Sequence, residues 1–235
     1  MQLIADMVES GASVADIGTD HGFIPIYLYQ SGKASKIVLT DIADGPLSKA
    51  RENIAKFGLS EDGFFSVRKG SGIEPLQLNE VSTVIIAGMG GELISSILEQ
   101  DIDKSKSFDY LILQPRTMCD KLRKWLEENE FKIVEEHLVE EGPQIAQLFM
   151  AVPIEKLKGR CYQVYHEEAD YSVAPLLFDK PDELLKKYLI RSIRHAKLVC
   201  FNLNSAKPDL NYSKLTEWQS RVKELENKLY LIDKE

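Results

Sequence analysis

Phe131–Val152 reads FKIVEEHLVE, then EGPQ, then IAQLFMAV. Two runs rich in β-branched, aromatic and aliphatic residues are separated by Glu141-Gly142-Pro143-Gln144 alone. So short a loop joins antiparallel strands but never parallel ones, which need a crossover. Everything upstream has the opposite rhythm. Strand-like Ser13–Ile17, Lys36–Asp41, Phe64–Arg68, Thr83–Ala87 and Tyr110–Leu113 alternate with helix-like Gln2–Glu9, Phe23–Ser31, Pro46–Phe57, Glu92–Glu99 and Cys119–Asn129. Alternation of this kind predicts a parallel sheet with helices on both faces. The fold class is therefore α/β: a doubly wound parallel sheet closed at one edge by an antiparallel hairpin.

The pattern changes again after the hairpin. Residues 153–180 are irregular and read as a linker. Beyond them Leu215, Trp218, Val222, Leu225, Leu229 and Ile232 alternate steps of three and four, the seam of a coiled coil. Leu185, Leu189, Ile193, Ala196 and Val199 share one side of a preceding helix, with Pro208-Asp209 separating the two. The expected organisation is a sheet domain at 1–152 and a C-terminal helical hairpin at 181–235.

Charge follows the same division. The chain of 235 residues carries a net −8. Residues 180–235 hold 12 Lys+Arg against 8 Asp+Glu, net +4, so an acidic body with −12 carries a basic tail. Lys186, Lys187, Arg191, Arg194 and Lys197 fall within about 140° of one helical face at 100° per residue. That face is a candidate for RNA phosphates. Cys119, Cys161 and Cys200 are scattered and odd in number, which speaks against a disulfide scaffold and against zinc. No apolar run is long enough for a membrane span and no export leader is visible. The expectation is a cytoplasmic protein without metal or membrane partner, with a monomer favoured.

The loops after the five parallel strands lie at the edge where such folds bind ligands. The first is VADIGTDHG, Val14–Gly22, in which Asp20 stands where a nucleotide-binding loop often has its middle glycine. A carboxylate there repels a pyrophosphate but attracts an ammonium, which tilts the ligand from NAD to S-adenosylmethionine (SAM). Asp41, 19 residues after Gly22, suits the two hydroxyls of an adenosine ribose. Lys69-Gly70-Ser71-Gly72 follows strand three, where adenine would lie. Ala87-Gly88-Met89-Gly90-Gly91 follows strand four, and three glycines in four residues imply backbone close to a ligand. Leu113-Gln114-Pro115-Arg116 follows strand five, where a target base would enter. The candidate cofactor residues are Asp16, Gly18, Thr19, Asp20, His21, Gly22, Asp41, Ile42, Gly70, Ser71, Gly72, Ala87, Gly88, Met89 and Gly90. Asp20 and Gln114 are the candidate catalytic residues, and Arg116 joins the helical face as an RNA contact.

GTDHG, DIADGP, AGMGG, LQPR and the terminal hairpin together resemble the bacterial tRNA adenine-N1 methyltransferases known as TrmK. The resemblance spans residues 1–152 by motif and the rest by architecture. It implies a Rossmann-like methyltransferase domain followed by a coiled coil, SAM as cofactor, and methylation of N1 of the adenine at position 22 in the tRNA D-arm. This chain has Ser71 and Arg116 where the family usually has Asp or Asn and Asn. The alternatives are a methyltransferase acting on another RNA base or a small molecule, and a SAM- or RNA-binding module without catalysis.

Overall fold

The computed structural model describes residues 1–60, 63–166, 171–173, 175–205, 208–232 and 234, with residues 208–211 described by backbone alone. The parallel strands are β1 Ala12–Ile17, β2 Ala34–Asp41, β3 Phe65–Lys69, β4 Thr83–Gly90 and β5 Tyr110–Thr117. The hairpin is β6 Phe131–Glu141 and β7 Gln144–Pro153. Between them run α1 Gln2–Met7, α2 Phe23–Gln30, α3 Asp44–Lys56, α4 Gly91–Glu99, α5 Ile102–Ser107 and α6 Cys119–Glu128. The order across the single seven-stranded sheet is β3-β2-β1-β4-β5-β7-β6. Strand β7 pairs antiparallel with β5 (Leu113 opposite Phe149) and so lies inside β6.

The core strands are apolar because they are covered on both faces. Ile37, Val38 and Leu39 of β2, Val84, Ile85 and Ile86 of β4, and Leu111, Ile112 and Leu113 of β5 are all fully buried. The reversal of strand order lies between β1 and β4: β2 and β3 lie to one side of β1, β4 and β5 to the other. This topological switch point opens a crevice at the carboxyl ends of the strands.

Helix α5 is absent from the sequence reading. Six residues are too few to display a helical period. Its one legible mark is Asp101, whose side chain accepts the Lys104 N–H at 3.0 Å as an N-cap.

An ion pair sits buried under the hairpin. Arg123 of α6 donates through Nη2 to Glu136 of β6 and to Gln147 of β7, and its Cζ lies 5.1 Å from the centre of the Phe149 ring. Both ionic side chains are wholly shielded from solvent. A single guanidinium thus ties the helix to both strands of the hairpin.

The chain divides into two compact units, residues 1–139 with 146–162, and residues 140–145 with 163–235. In the second unit α7 Glu183–Ser205 and α8 Pro208–Ile232 pack together. Leu185, Leu189, Ile193 and Ala196 are buried, as is Leu225 of the opposing seam. Pro208 does not separate the helices as expected but is the first residue of α8. The first turn accepts proline because its missing N–H would have no intrahelical partner there. Residues 206–207 lie outside the described residues. Among the described residues no helix is long and apolar enough to cross a membrane.

Candidate active site

Backbone hydrogen bonds draw the first three loops into one wall. The N–H groups of Gly18 and Thr19 both donate to the Thr40 carbonyl, at 2.8 and 3.0 Å. Gly70 N–H donates to Asp41 O at 3.1 Å, and the Thr40 hydroxyl to Gly72 O at 3.2 Å. The ends of β1, β2 and β3 are thereby held at fixed separation, with Asp16, Thr19 and Asp41 close together. A second wall comes from β4 and β5, where Ala87 pairs with Gln114, Met89 with Pro115 and Gly90 with Thr117. Gly91 then packs directly on the next loop: a β-carbon there would stand 2.3 Å from the Met118 carbonyl oxygen. Only glycine allows the two loops this approach.

The carboxylates at this edge differ in environment. Asp16 is 6% exposed, between β2 and β4. Burial pushes its carboxyl up to about 6, and the neighbouring Asp41 carboxylate adds to the rise. The Thr19 hydroxyl nearby draws it down somewhat, yet this buried hydroxyl has no hydrogen bond of normal geometry. Asp41 Oδ1 accepts the Ala43 N–H at 2.8 Å, which fixes its rotamer at the strand end. Asp20 instead has 76% of its side chain exposed and lies 3.2 Å from His21 Nε2. His21 in turn stacks on Phe23, with ring centres 5.5 Å apart, and its carbonyl accepts from Asn53 Nδ2 at 3.0 Å. The inward carboxyl of this loop is therefore Asp16, and Asp20 faces solvent. Two neighbouring carboxyls and the buried Thr19 hydroxyl, beside a glycine at position 18, suit a ligand carrying hydroxyls and positive charge. SAM has both.

Residues 1–149 match the family model described as a methyltransferase domain. The tRNA (adenine(22)-N(1))-methyltransferase of Bacillus subtilis (strain 168) is 30% identical over 223 residues, covering 94% of this chain and 92% of its own length. The chain belongs to this methyltransferase family. The crystal structure of the B. subtilis M1A22 tRNA methyltransferase TrmK superimposes with a TM-score of 0.84 at 30% identity, over 97% of this chain and 96% of that one. The structure of M. capricolum TrmK in complex with S-adenosyl-homocysteine, its natural cofactor product, gives 0.80 at 26% identity over 98% and 96%. The sheet with its antiparallel hairpin and C-terminal helices, expected from the strand pattern, is the architecture of these methyltransferases.

Several glycines of the methyltransferase loops have packing duties. A β-carbon on Gly70 would meet Pro75 at 2.3 Å, and one on Gly72 would meet Ile97 at 2.7 Å. The spacing alone suggested ligand contact for both. Ser71 is tied locally: its N–H donates to Glu74 at 3.2 Å and its hydroxyl accepts from Gln100 at 3.5 Å. Gly22 caps α2, Ile42 is exposed, and Gly88 lies open to solvent. Strand β5 runs on to Thr117, past the expected loop, with Gln114 buried within it and Arg116 two residues on exposed.

Sequence reasoning missed Met118. It caps α6 with φ 55°, a left-handed conformation costly for a side chain of this size, and is 44% exposed beside Gly91. No glycine or asparagine marks the position. On the helical unit, Lys187 pairs with Glu140 at 2.5 Å and Lys197 with Glu226 at 2.6 Å. Arg191 and Arg194 are exposed and Lys186 is half-buried.

Proposed function

We propose that this chain transfers the methyl group of SAM to N1 of the adenine at position 22 of tRNA. The observation that carries the reading is similarity along nearly the whole length, catalytic domain and helices together, to an enzyme of that name. When bound, SAM supplies an electrophilic methyl on a positively charged sulfur. Asp16 is the residue for its ammonium, with Asp20 at the rim. Asp41 and Thr19 serve its hydroxyls, and Gly18 allows close approach. His21, Gly22, Ile42, Gly70–Gly72 and Ala87–Gly90 complete the cofactor-binding set.

Adenine N1 has an in-plane lone pair and no proton to lose, so the residues need not include a general base. Their work is to hold N1 in line with the methyl, where positioning alone is worth several kcal/mol. Positive charge arrives on the base as the bond forms, and the amide oxygen of Gln114 and nearby backbone carbonyls of β4 are suited to stabilise it. The target's pairing edge is engaged in folded tRNA and must be freed, at a cost of a few kcal/mol. Arg116 and the outer face of α7 (Lys186, Lys187, Arg191, Arg194, Lys197) serve the phosphates. We read the protein as a cytoplasmic monomer.

Incubation of unmodified tRNA with SAM labelled on its methyl group tests the proposal, followed by nuclease digestion and mass mapping. Label at N1 of adenine 22, abolished in a transcript with guanine there, is the expected result. Label at another nucleotide refutes the assignment of the base, and no label in any tRNA refutes catalysis.

A further inference from the structure

Met89 stands at the meeting point of the two walls. Its backbone pairs with Pro115 of β5, and the ladder slips register on both sides of it, between Ala87 and Met89 and between Met89 and Gly90. Its side chain reaches the other way, to β1. The Met89 methyl carbon lies only 2.0 Å from where a β-carbon of Gly18 would stand, with the sulfur at 3.8 Å. The thioether methyl therefore rests on the bare face of Gly18, the surface that lets a ligand approach this loop. Gly18 has φ 73°, so a side chain of its own is doubly disfavoured.

Two features make this contact reversible. Met89 follows Gly88, which has φ 78° and open space where a β-carbon would stand, and precedes Gly90, so the residues on either side lack side chains that would hinder its movement. The side chain itself is unbranched and turns about three bonds at little cost. A third feature gives the contact its meaning. The terminal CH2–CH2–S–CH3 of methionine follows the same chain as the methionyl arm of SAM, whose sulfur bears the adenosyl group and a positive charge in addition. A surface shaped for one accommodates the other.

We propose that Met89 is an internal competitor for the cofactor, its thioether covering Gly18 and swinging aside when the methionyl arm of SAM enters. This rests on reading the Val14–Gly22 loop as the SAM site. The observed affinity is then the intrinsic affinity reduced by the fraction of molecules with Met89 displaced.

The test is Met89→Ala in the full chain, titrated with SAM and with S-adenosyl-homocysteine by calorimetry and followed by stopped-flow binding. Removing a competitor tightens both ligands by roughly three- to tenfold, entirely through faster association, with the dissociation rate unchanged. Met89→Leu, which keeps bulk but loses the terminal methyl, falls between. A residue that merely lines the site gives the opposite sign, weaker binding through faster dissociation. If wild type binds SAM and Met89→Ala binds it equally or more weakly, competition is refuted while the cofactor site stands. If wild type binds no SAM, the site reading falls and takes the competition with it. The Leu variant carries the same comparison should the Ala variant fail to fold.

Discussion

Glu136→Gln isolates the buried charge under the hairpin. The substitution keeps the shape of the side chain and an acceptor oxygen for Arg123, but removes the negative charge that Glu136 sets against that guanidinium. Both side chains are fully buried, so water cannot take over. Removing one partner of a buried pair costs roughly 3–5 kcal/mol. The retained amide acceptor argues for the lower end, about 3 kcal/mol. Set against a total stability of about 5–15 kcal/mol, that is a large share. At about 2–4 °C per kcal/mol for a chain of this size, the melting temperature falls by roughly 6–12 °C. Urea unfolding should show a lower midpoint with an unchanged slope. Arg123→Met combined with Glu136→Gln removes the uncompensated charge and recovers most of the loss, since the methionine lies against Phe149. Helix α6 starts at Cys119, just past the end of the strand β5 that carries Gln114, so turnover of Glu136→Gln should fall more than its affinity for SAM. A stability within about 0.5 kcal/mol of wild type would refute the argument. So would a double variant as unstable as the sum of the two singles.

Three further outcomes are expected. Asp16 has a folded-state value of about 6 against 3.8 unfolded, so its contribution to stability is fully present below about pH 4 and is lost as pH rises through 6. The loss is about 3 kcal/mol by linkage, and thermal melts of Asp16→Asn should lack this decline between pH 4 and 6. Because a bound ammonium favours ionised Asp16, calorimetry in two buffers near pH 6 should also detect proton release on SAM binding in wild type only. Gln114→Ala should lower turnover at least tenfold, about 1.4 kcal/mol in the barrier, while changing SAM affinity less than twofold. Lys187→Glu, Arg191→Glu and Arg194→Glu together should weaken tRNA binding and reduce the salt slope by roughly 2–3, with SAM affinity unchanged. Equal binding across the titration would show that the RNA docks elsewhere.

The periodicities were legible in the sequence because they are local. Alternating strands and helices imposed a parallel sheet, the short Gly142-Pro143 turn imposed antiparallel strands, and the three-four seam of Leu215–Ile232 imposed a helical pair. The clustering of glycines after β1, β3 and β4 marked the ligand edge for the same reason. What the sequence could not decide is what each residue meets. Asp16 and Asp20 are carboxylates four positions apart, and nothing local distinguishes them. Only the packing of β1 between β2 and β4 buries one and leaves the other beside His21 in solvent. Gly70, Gly72 and Gly91 read from the sequence as glycines of the ligand edge, and only the fold adds that Pro75, Ile97 and the Met118 carbonyl pack where their side chains would stand. The partners of Arg123 are Glu136 and Gln147 of the hairpin, and Lys187 and Lys197, cations of one helical face in the sequence, meet Glu140 and Glu226. Chain period follows from backbone geometry over a few residues. Burial, charge pairing and close approach depend on groups distant along the chain, and only tertiary structure brings those together.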